Sequence, residues 1–401
     1  MADAAPAGRL NVAMVAACPF PFPRGTPIRI RRVAEAMARR GHRLHVVTYH
    51  LGDAWEEPPF VLHRIPAVSG YRKTSPGPSY RKIFDVDRRL VGKLREVLAS
   101  HPIDLVHGHH YEGLMVALLA RRAGIPILYD AHTTLESELP SYGMGLPGSF
   151  KRSFGRLLDR RLPRFATHTI AVTDAVRDHL VDLAAVVPEK ITVVSNGVER
   201  EIFEVPAAGR WKAAPGTRTI VFSGNTAPYQ RVDLLLEAFA RVHARHPEVR
   251  LLIVTRSGLD RYEALARRLG VRDAMIIEKV DFDLLPGLLA GADVAVNPRI
   301  DCAGVPQKLL NYMAAGVPVV SFRGAAPVIQ HERTGLCVAD ADTEAMAAAI
   351  ERLLVDAALA RRLSQTARRW VWRTHSWDRA AEAIEAVYRR MLDGDGEPSG
   401  R

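Results

Sequence analysis

Short, nearly continuous apolar runs alternate along the chain with longer segments whose apolar residues recur at helical spacing. Such runs suit strands of a parallel sheet covered on both faces, because neither side of the strand meets water. One series holds LNVAMVAAC, RLHVVTYH, FVLHRI, IDLVHGH, ILYDAH, THTIAVT and ITVVSNG, with amphipathic segments such as Ile28 to Arg40 and Asp174 to Leu183 between them. A second series holds TIVFSG, VRLLIVT, AMIIEKV, DVAVNP, VPVVSF and GLCVAD. The stretch between the series, Glu201 to Thr217, is rich in Ala, Pro and Gly and suits an interdomain connection. The pattern predicts an α/β chain of two domains, residues 1–199 and 200–376. In residues 377–401 a helix from Trp377 to Met391 is expected to return to the first domain, followed by a disordered tail, DGDGEPSGR.

With 401 residues, 48% hydrophobic and 25% charged, the chain has enough apolar content for two cores. It has no apolar run of membrane-spanning length. Its start, MADAAPAGRLNVAMVAACPF, lacks the charged, apolar and cleavage regions of a signal peptide, so a cytoplasmic location is expected. Cys18, Cys302 and Cys337 show neither CxxC nor Cys/His ligand spacing, and no disulfide framework or metal site is predicted. The net charge of +11, mostly from arginine, favours phosphate-bearing partners. Nucleic acid is not expected, because no helix-turn-helix, zinc finger or RNA-binding aromatic signature accompanies the charge. Between Phe150 and Phe165, apolar residues at helical spacing are interleaved with Lys151, Arg152, Arg156, Arg160 and Arg164. This segment reads either as peripheral contact with an anionic membrane or as a surface helix packing its stripe inward.

The stretch Ala303 to Phe322, AGVPQKLLNYMAAGVPVVSF, carries the strongest chemical signal. Pro306 suits a first helical turn, Leu309, Leu310 and Met313 form an apolar stripe, Gly316 supplies a left-handed stop, and VPVVSF reads as a buried strand. Free backbone N–H groups from Val305 to Lys308 would then attract a phosphate, with Lys308 as an added cation. In the loop PFPFPRGTPIR, Gly25 permits close backbone approach and a helix begins near Thr26. Neither GxGxxG nor GxxxxGK[ST] is present, which argues against a nicotinamide enzyme and a P-loop nucleotidase. Other predicted strand ends carry His109, His110, Tyr111 and Glu112, then Asp130, His132, Glu136 and Glu138, a set suited to acid–base or hydrogen-bonding roles.

The segments RGTPIR, RRGH, LVHGHHYEG, YDAH, VVSNGV, FSGN and GVPQKLLNYMAAGVPVV, in this order, resemble family 4 of the nucleotide-sugar glycosyltransferases over nearly the whole chain. The resemblance implies a GT-B architecture, two Rossmann-like doubly wound domains facing each other across a cleft. It also implies retaining transfer of a sugar from a nucleotide diphosphate donor, with no tightly bound cofactor or metal. A glycan, lipid-linked or other envelope-type acceptor at or near the inner membrane face is expected. A sugar-nucleotide epimerase of similar architecture, or an inactive partner subunit, is the alternative. By the resemblance His132 lies near the reacting carbon and orients the donor sugar, and Lys308 with Arg231 stabilises the leaving diphosphate. Gly25, Thr26, Gly224, Asn225, Arg299, Gly304, Val305, Pro306, Gln307 and Asn311 surround the donor, while His109, Tyr111, Glu112 and Glu136 face the acceptor.

The chain departs from the family pattern in three places. Two family glutamates eight residues apart are replaced by Ala303 and Asn311, and an amide can accept one ribose hydroxyl proton without charge assistance. Where the family has Arg and then Lys after the FSG strand, this chain has Asn225 and Gln230, with Arg231 following. LLIVTRSG lacks the family's Gly-rich turn. Arg231, Arg299 and Lys308 are expected to replace the lost charge.

Overall fold

The structure is a computed structural model that describes residues 8–22, 25–55, 57–74, 77, 79–142, 146–205, 211, 213–214, 216–280, 284–302 and 305–393. The expectations for Ala303, Gly304 and the tail lie outside these residues. The chain divides into two compact units, Met1–Asn196 with Trp377–Arg401, and Gly197–Ser376.

The first unit is built on strands β1 (Asn11–Ala16), β2 (Arg43–Thr48), β3 (Val61–Arg64), β4 (Leu105–His109), β5 (Ile127–Ala131), β6 (His168–Ala171) and β7 (Ile191–Val193). They form one parallel sheet in the order β3-β2-β1-β4-β5-β6-β7. Its helices are α1 (Gly25–Arg39), α2 (Arg88–Ser100), α3 (His110–Leu119), α4 (Leu135–Glu138), α5 (Gly148–Arg161) and α6 (Asp174–Asp182). A π-helical turn, Lys82–Asp87, leads into α2. Alternation along β1 explains the two-sided cover. Ala13 and Val15 pack with Leu90, Leu94, Leu114 and Leu180 of α2, α3 and α6, while Val12 and Met14 pack with Ile30, Val33 and Met37 of α1.

The second unit opens with the short helix α7 (Arg200–Phe203) and carries β8 (Arg218–Ser223), β9 (Val249–Val254), β10 (Met275–Glu278), β11 (Val294–Asn297), β12 (Val319–Phe322) and β13 (Leu336–Val338). They form a sheet ordered β10-β9-β8-β11-β12-β13, again parallel. The unit's other helices are α8 (Val232–Arg245), α9 (Asp260–Arg268), α10 (Leu285–Ala290), α11 (Gln307–Ala314), α12 (Thr343–Val355) and α13 (Ala357–Thr374); the last helix of the chain is α14 (Trp377–Asp393). Sequence-local signals set their ends. Asp342 and Asp356 accept the Ala345 and Leu359 N–H groups to open α12 and α13. Gly316, at φ +73°, follows α11 in the left-handed conformation that suits a residue without Cβ.

All thirteen predicted apolar runs are strands. Helix α14 belongs to the first unit, where Trp377, Ala381, Ile384, Val387 and Tyr388 are buried against α1 and the sheet. The Tyr388 hydroxyl also meets His107 Nδ1 at 2.7 Å. A chain cut after Ser376 loses several side chains whose burial stabilises by roughly 1.5–3 kcal/mol each. Urea unfolding of that chain should show the first unit's transition lost or moved to much lower denaturant.

Candidate functional site

In each sheet the strand order reverses at one point, between β1 and β4 in the first unit and between β8 and β11 in the second. Ligands of open α/β sheets bind beyond the strand carboxyl ends at such points.

At the first reversal a charged cluster is fully buried. Arg29 Nε donates to Asp130 Oδ2 at 2.9 Å and Nη2 donates to Oδ1 at 3.1 Å; the guanidinium also reaches Asn196 Oδ1 and the Val194 carbonyl. His109 Nδ1 lies 3.2 Å from Asp130, and His107 stacks on His109 with ring centroids 4.0 Å apart. Burial alone would push the Asp130 carboxyl up, but Arg29 and the surrounding imidazoles hold it well below the usual carboxylate range. His132 Nε2 is 3.6 Å from the same carboxylate and its Nδ1 is 3.2 Å from Thr26 Oγ1 at the start of α1. Burial, only partly offset by Asp130, moves His132 down to about 4. His132 is therefore a neutral hydrogen-bonding group near pH 7, not an acid.

Beside this cluster a cavity of ≈ 410 Å³ opens within the first unit, reached by Gly25 and Thr26 of α1 and by Tyr49, Lys73, Lys82, His110, Glu112, Glu138 and Tyr142. Most of its charges are paired internally, while Lys73 Nζ donates to the Gly77 carbonyl at 2.9 Å. Lys82 Nζ donates to Glu112 Oε1 at 2.5 Å and lies 3.4 Å from Asp87. His110 Nε2 lies 2.9 Å from Glu138, whose other oxygen accepts from Tyr142; the Tyr49 hydroxyl donates to Asp87. Burial would lower His110, yet the bonds to Glu112 and Glu138 lift it to about 9. Burial would raise Glu112, yet Lys82 and His110 bring it down to about 2.

Of the expected acceptor-side residues, only Glu112 lines this cavity. His109 is sealed behind it against Asp130. Tyr111 packs into a small core with Leu135 and Leu139. Glu136 lies near Arg156 and His179 instead. The neighbours His110 and Glu138 take the places that His109 and Glu136 were expected to hold. Lys82, Lys73 and Tyr142 come from segments without a strand-end motif, and Tyr49, though it follows β2, is not singled out by the sequence.

At the second reversal Lys308, in the first turn of α11, donates to Gln230 Oε1 at 2.7 Å and sits 4.0 Å from the centre of the Phe222 ring. Gly224 follows β8 at φ +139°, and a Cβ there would lie 3.0 Å from Lys308 Nζ, so glycine both permits this backbone and leaves the amine its place. Burial, helped by Arg299, lowers Lys308 to about 7. Arg299 stacks on Tyr229, whose hydroxyl accepts from Asn225 Nδ2 at 2.7 Å. Gln307 Nε2 donates to the Gly197 carbonyl and to Asn311 Oδ1. Tyr312 fixes the end of β8 by accepting the Ser223 N–H at 2.7 Å. Two expectations change here. Pro306, with extended backbone, caps α11 from outside rather than opening its first turn. Arg231 is held in a left-handed conformation with its guanidinium on Asp233 at 2.9 Å, so its charge is already matched. Val305 is half-buried just before the cap.

A parallel doubly wound sheet in each of two units, with polar groups gathered at each reversal, is the construction of the GT-B glycosyltransferases. Solved structures of that class match over nearly all of the chain. Sucrose-phosphate synthase from Thermosynechococcus elongatus aligns with TM-score 0.75 at 19% identity, covering 96% of this chain and 100% of that one. Anabaena HepE in complex with UDP and glucose aligns with TM-score 0.69 at 16% identity, covering 95% and 100%. The family model described as Glycosyltransferase Family 4 matches residues 23–202, and that described as Glycosyl transferases group 1 matches residues 217–356. A D-inositol 3-phosphate glycosyltransferase of Saccharomonospora viridis is 30% identical over 92% of this chain and 89% of its own length. An MMP alpha-(1->4)-mannosyltransferase of Mycolicibacterium hassiacum is 26% identical over 92% and 95%. The chain belongs to glycosyltransferase family 4. It is a transferase that moves a sugar from a nucleotide diphosphate donor, and neither the epimerase nor the inactive-subunit alternative is favoured.

Proposed function

We propose that the chain is a retaining glycosyltransferase whose second unit grips the donor diphosphate at Lys308 and whose first unit takes the acceptor in the Glu112–Glu138 cavity. The observation that carries this reading is the half-buried Lys308 amine beside side-chain-free Gly224 at a strand-order reversal. A leaving nucleoside diphosphate gains negative charge as the glycosidic bond breaks, and a preplaced cation and backbone N–H groups lower that barrier. Lys308 with Arg299 supplies the charge, Asn311 meets the ribose, and neutral His132 hydrogen-bonds the donor sugar. Arg231 plays no direct part, and no tightly bound metal is needed. The leaving phosphate accepts the proton of the incoming hydroxyl, so no protein nucleophile is assigned.

Lys82 and His110 are paired with carboxylates, which leaves Lys73, on the Gly77 carbonyl, as the lining cation without a carboxylate partner among the described residues. The cavity's carboxylate oxygens and tyrosine hydroxyls suit the hydroxyl groups of a sugar-like acceptor. Glu138→Gln should raise the acceptor KM by ~10–100-fold, as for loss of a charge-assisted hydrogen bond, and leave donor affinity unchanged. An unaltered acceptor KM would remove Glu138 from the site.

Peripheral membrane attachment is supported by α5 and the turn after it. Phe150, Phe154, Leu157 and Phe165 are 57, 46, 47 and 59% exposed, among exposed Arg152, Arg156, Arg160 and Arg164. The buried residues of this helix are Lys151, Gly155 and Asp159, and of its large apolar residues Leu158 is the one that packs against the Leu135–Leu139 cluster, leaving the rest of the apolar stripe outward. Among the described residues no helix is long and apolar enough to cross a membrane. Wild-type protein should float with phosphatidylglycerol vesicles and not with phosphatidylcholine vesicles, and Phe150→Ser with Phe154→Ser should abolish flotation.

The reading as a whole is tested by incubating the protein with UDP-, GDP- and ADP-sugars plus membrane extract. Nucleotide release coupled to sugar transfer, with the anomeric configuration kept, is the expected result. Inverted product, or inertness with every donor, would overturn it.

A further inference from the structure

Three histidines from three different elements converge toward the amino-terminal end of the first unit's sheet, away from the strand carboxyl ends that carry the cavity. His45 on β2 and His63 on the edge strand β3 project from the same face, since β2 and β3 pair with Val47 opposite His63 and Val61 opposite His45. Helix α2 packs over that face, and His101 is the residue that ends it. His45 Nδ1 and His63 Nε2 are 3.0 Å apart, and the His101 ring lies 4.4 Å from that of His45 and 5.5 Å from that of His63. One nitrogen from each ring falls within 4.8 Å of the other two.

We propose that His45, His63 and His101 form a binding site for a divalent first-row ion, Zn²⁺, with three imidazole ligands and a fourth position open to solvent. Nitrogen ligands bind zinc at about 2.0–2.1 Å in a tetrahedral arrangement, which sets two of them roughly 3.3–3.4 Å apart, so an ion would replace the proton of the His45–His63 hydrogen bond with a small opening of the pair. A side-chain rotation of half-buried His101 brings in the third. The nearby charges do not block an ion. Lys93 is paired with Glu96 at 2.6 Å, and Arg43 is exposed at the start of β2. The other close group of possible ligands, His107, His109 and Asp130, is unsuitable because Arg29 already occupies the carboxylate. Spacings of 18 and 38 residues carry no ligand motif, which is why the sequence predicts no metal site. The ion would tie an edge strand and a helix end to β2. Its role is structural, and it takes no part in sugar transfer.

The test uses the full chain stripped with EDTA and titrated with Zn²⁺ and, separately, Co²⁺. One equivalent should bind with micromolar or tighter Kd, Co²⁺ should give the visible absorption of a four-coordinate ion, and Zn²⁺ should raise Tm. His63→Ala and His101→Ala should each weaken binding by about 10–100-fold, as when a metal site loses a supporting group, or more. Nucleotide release from the donor should be the same with and without EDTA, so failure of the metal proposal leaves the transferase reading untouched. Absence of stoichiometric binding by the wild-type chain, or unchanged binding by both folded variants, would overturn the site.

Discussion

Asp130→Asn is expected to destabilise the first unit by ~3–5 kcal/mol, the usual consequence of leaving one member of a buried ion pair uncompensated. Arg29 is 2% exposed and would keep its charge with only neutral acceptors, the new amide oxygen, Asn196 and the Val194 carbonyl, while an amide NH2 donor would replace one carboxylate oxygen among Arg29, His107 and His109. Equilibrium urea unfolding measures the effect. Its pH dependence has a definite sign. The folded Asp130 carboxyl is held below its unfolded value, so the pair's stabilisation is present above about pH 4 and is lost as pH falls toward the folded value. The variant should lack that acid-dependent component. Adding Arg29→Met to Asp130→Asn should recover part of the loss, because both charges are then gone. If the single variant is as stable as wild type, the pair is not what holds His132 and α1 in place.

Lys308→Met is expected to weaken sugar-nucleotide binding by ~1.5–3 kcal/mol, about 10–100-fold, the range for hydrogen bonds to charged groups. Methionine fills the space over Phe222, so the fold should persist. A sharper mark is the pH profile. In the unliganded protein Lys308 titrates at about 7, and a bound diphosphate favours the ammonium and raises that value. Binding above pH 7 therefore takes up a proton, and donor affinity should fall by up to about tenfold per pH unit from there. Below pH 7 the dependence should flatten, since the amine is already protonated. Gly224→Ala should mimic part of the loss, by forcing a side chain onto a positive φ and toward the amine.

The fold was legible in the sequence because fully covered parallel strands leave unbroken apolar runs. Val12 to Ala16, Ile220 to Phe222 and Leu251 to Ile253 are all buried, so no polar residue interrupts the signal. The polar positions at the second reversal were legible for a related reason. Gly224, Asn225, Arg299 and Lys308 follow strands or open a helix, and the sequence itself shows those positions. The lining of the first unit's cavity was only half legible. The sequence draws attention to the end of β4, but His109 continues the strand and turns inward to Asp130. His110 takes a left-handed backbone, φ 61°, and its ring reaches the cavity. A similar two-residue ambiguity on the single turn of α4 separates Glu136 from Glu138. Lys82 lies in a π-helical turn and Tyr49 just after β2, and only the folded chain brings them to Glu112 and Asp87. Arg231 shows the converse. A basic residue where charge was missing looked like a replacement, but Asp233 two positions on takes its guanidinium.

The proposed grip of Lys308 on the donor diphosphate is tested by calorimetric titration with the sugar nucleotide that supports transfer. At pH 8, in two buffers of different ionisation enthalpy, wild-type protein should bind with uptake of close to one proton, and Lys308→Met should bind weakly with none. Equal affinity and equal proton exchange in the two proteins would contradict the account.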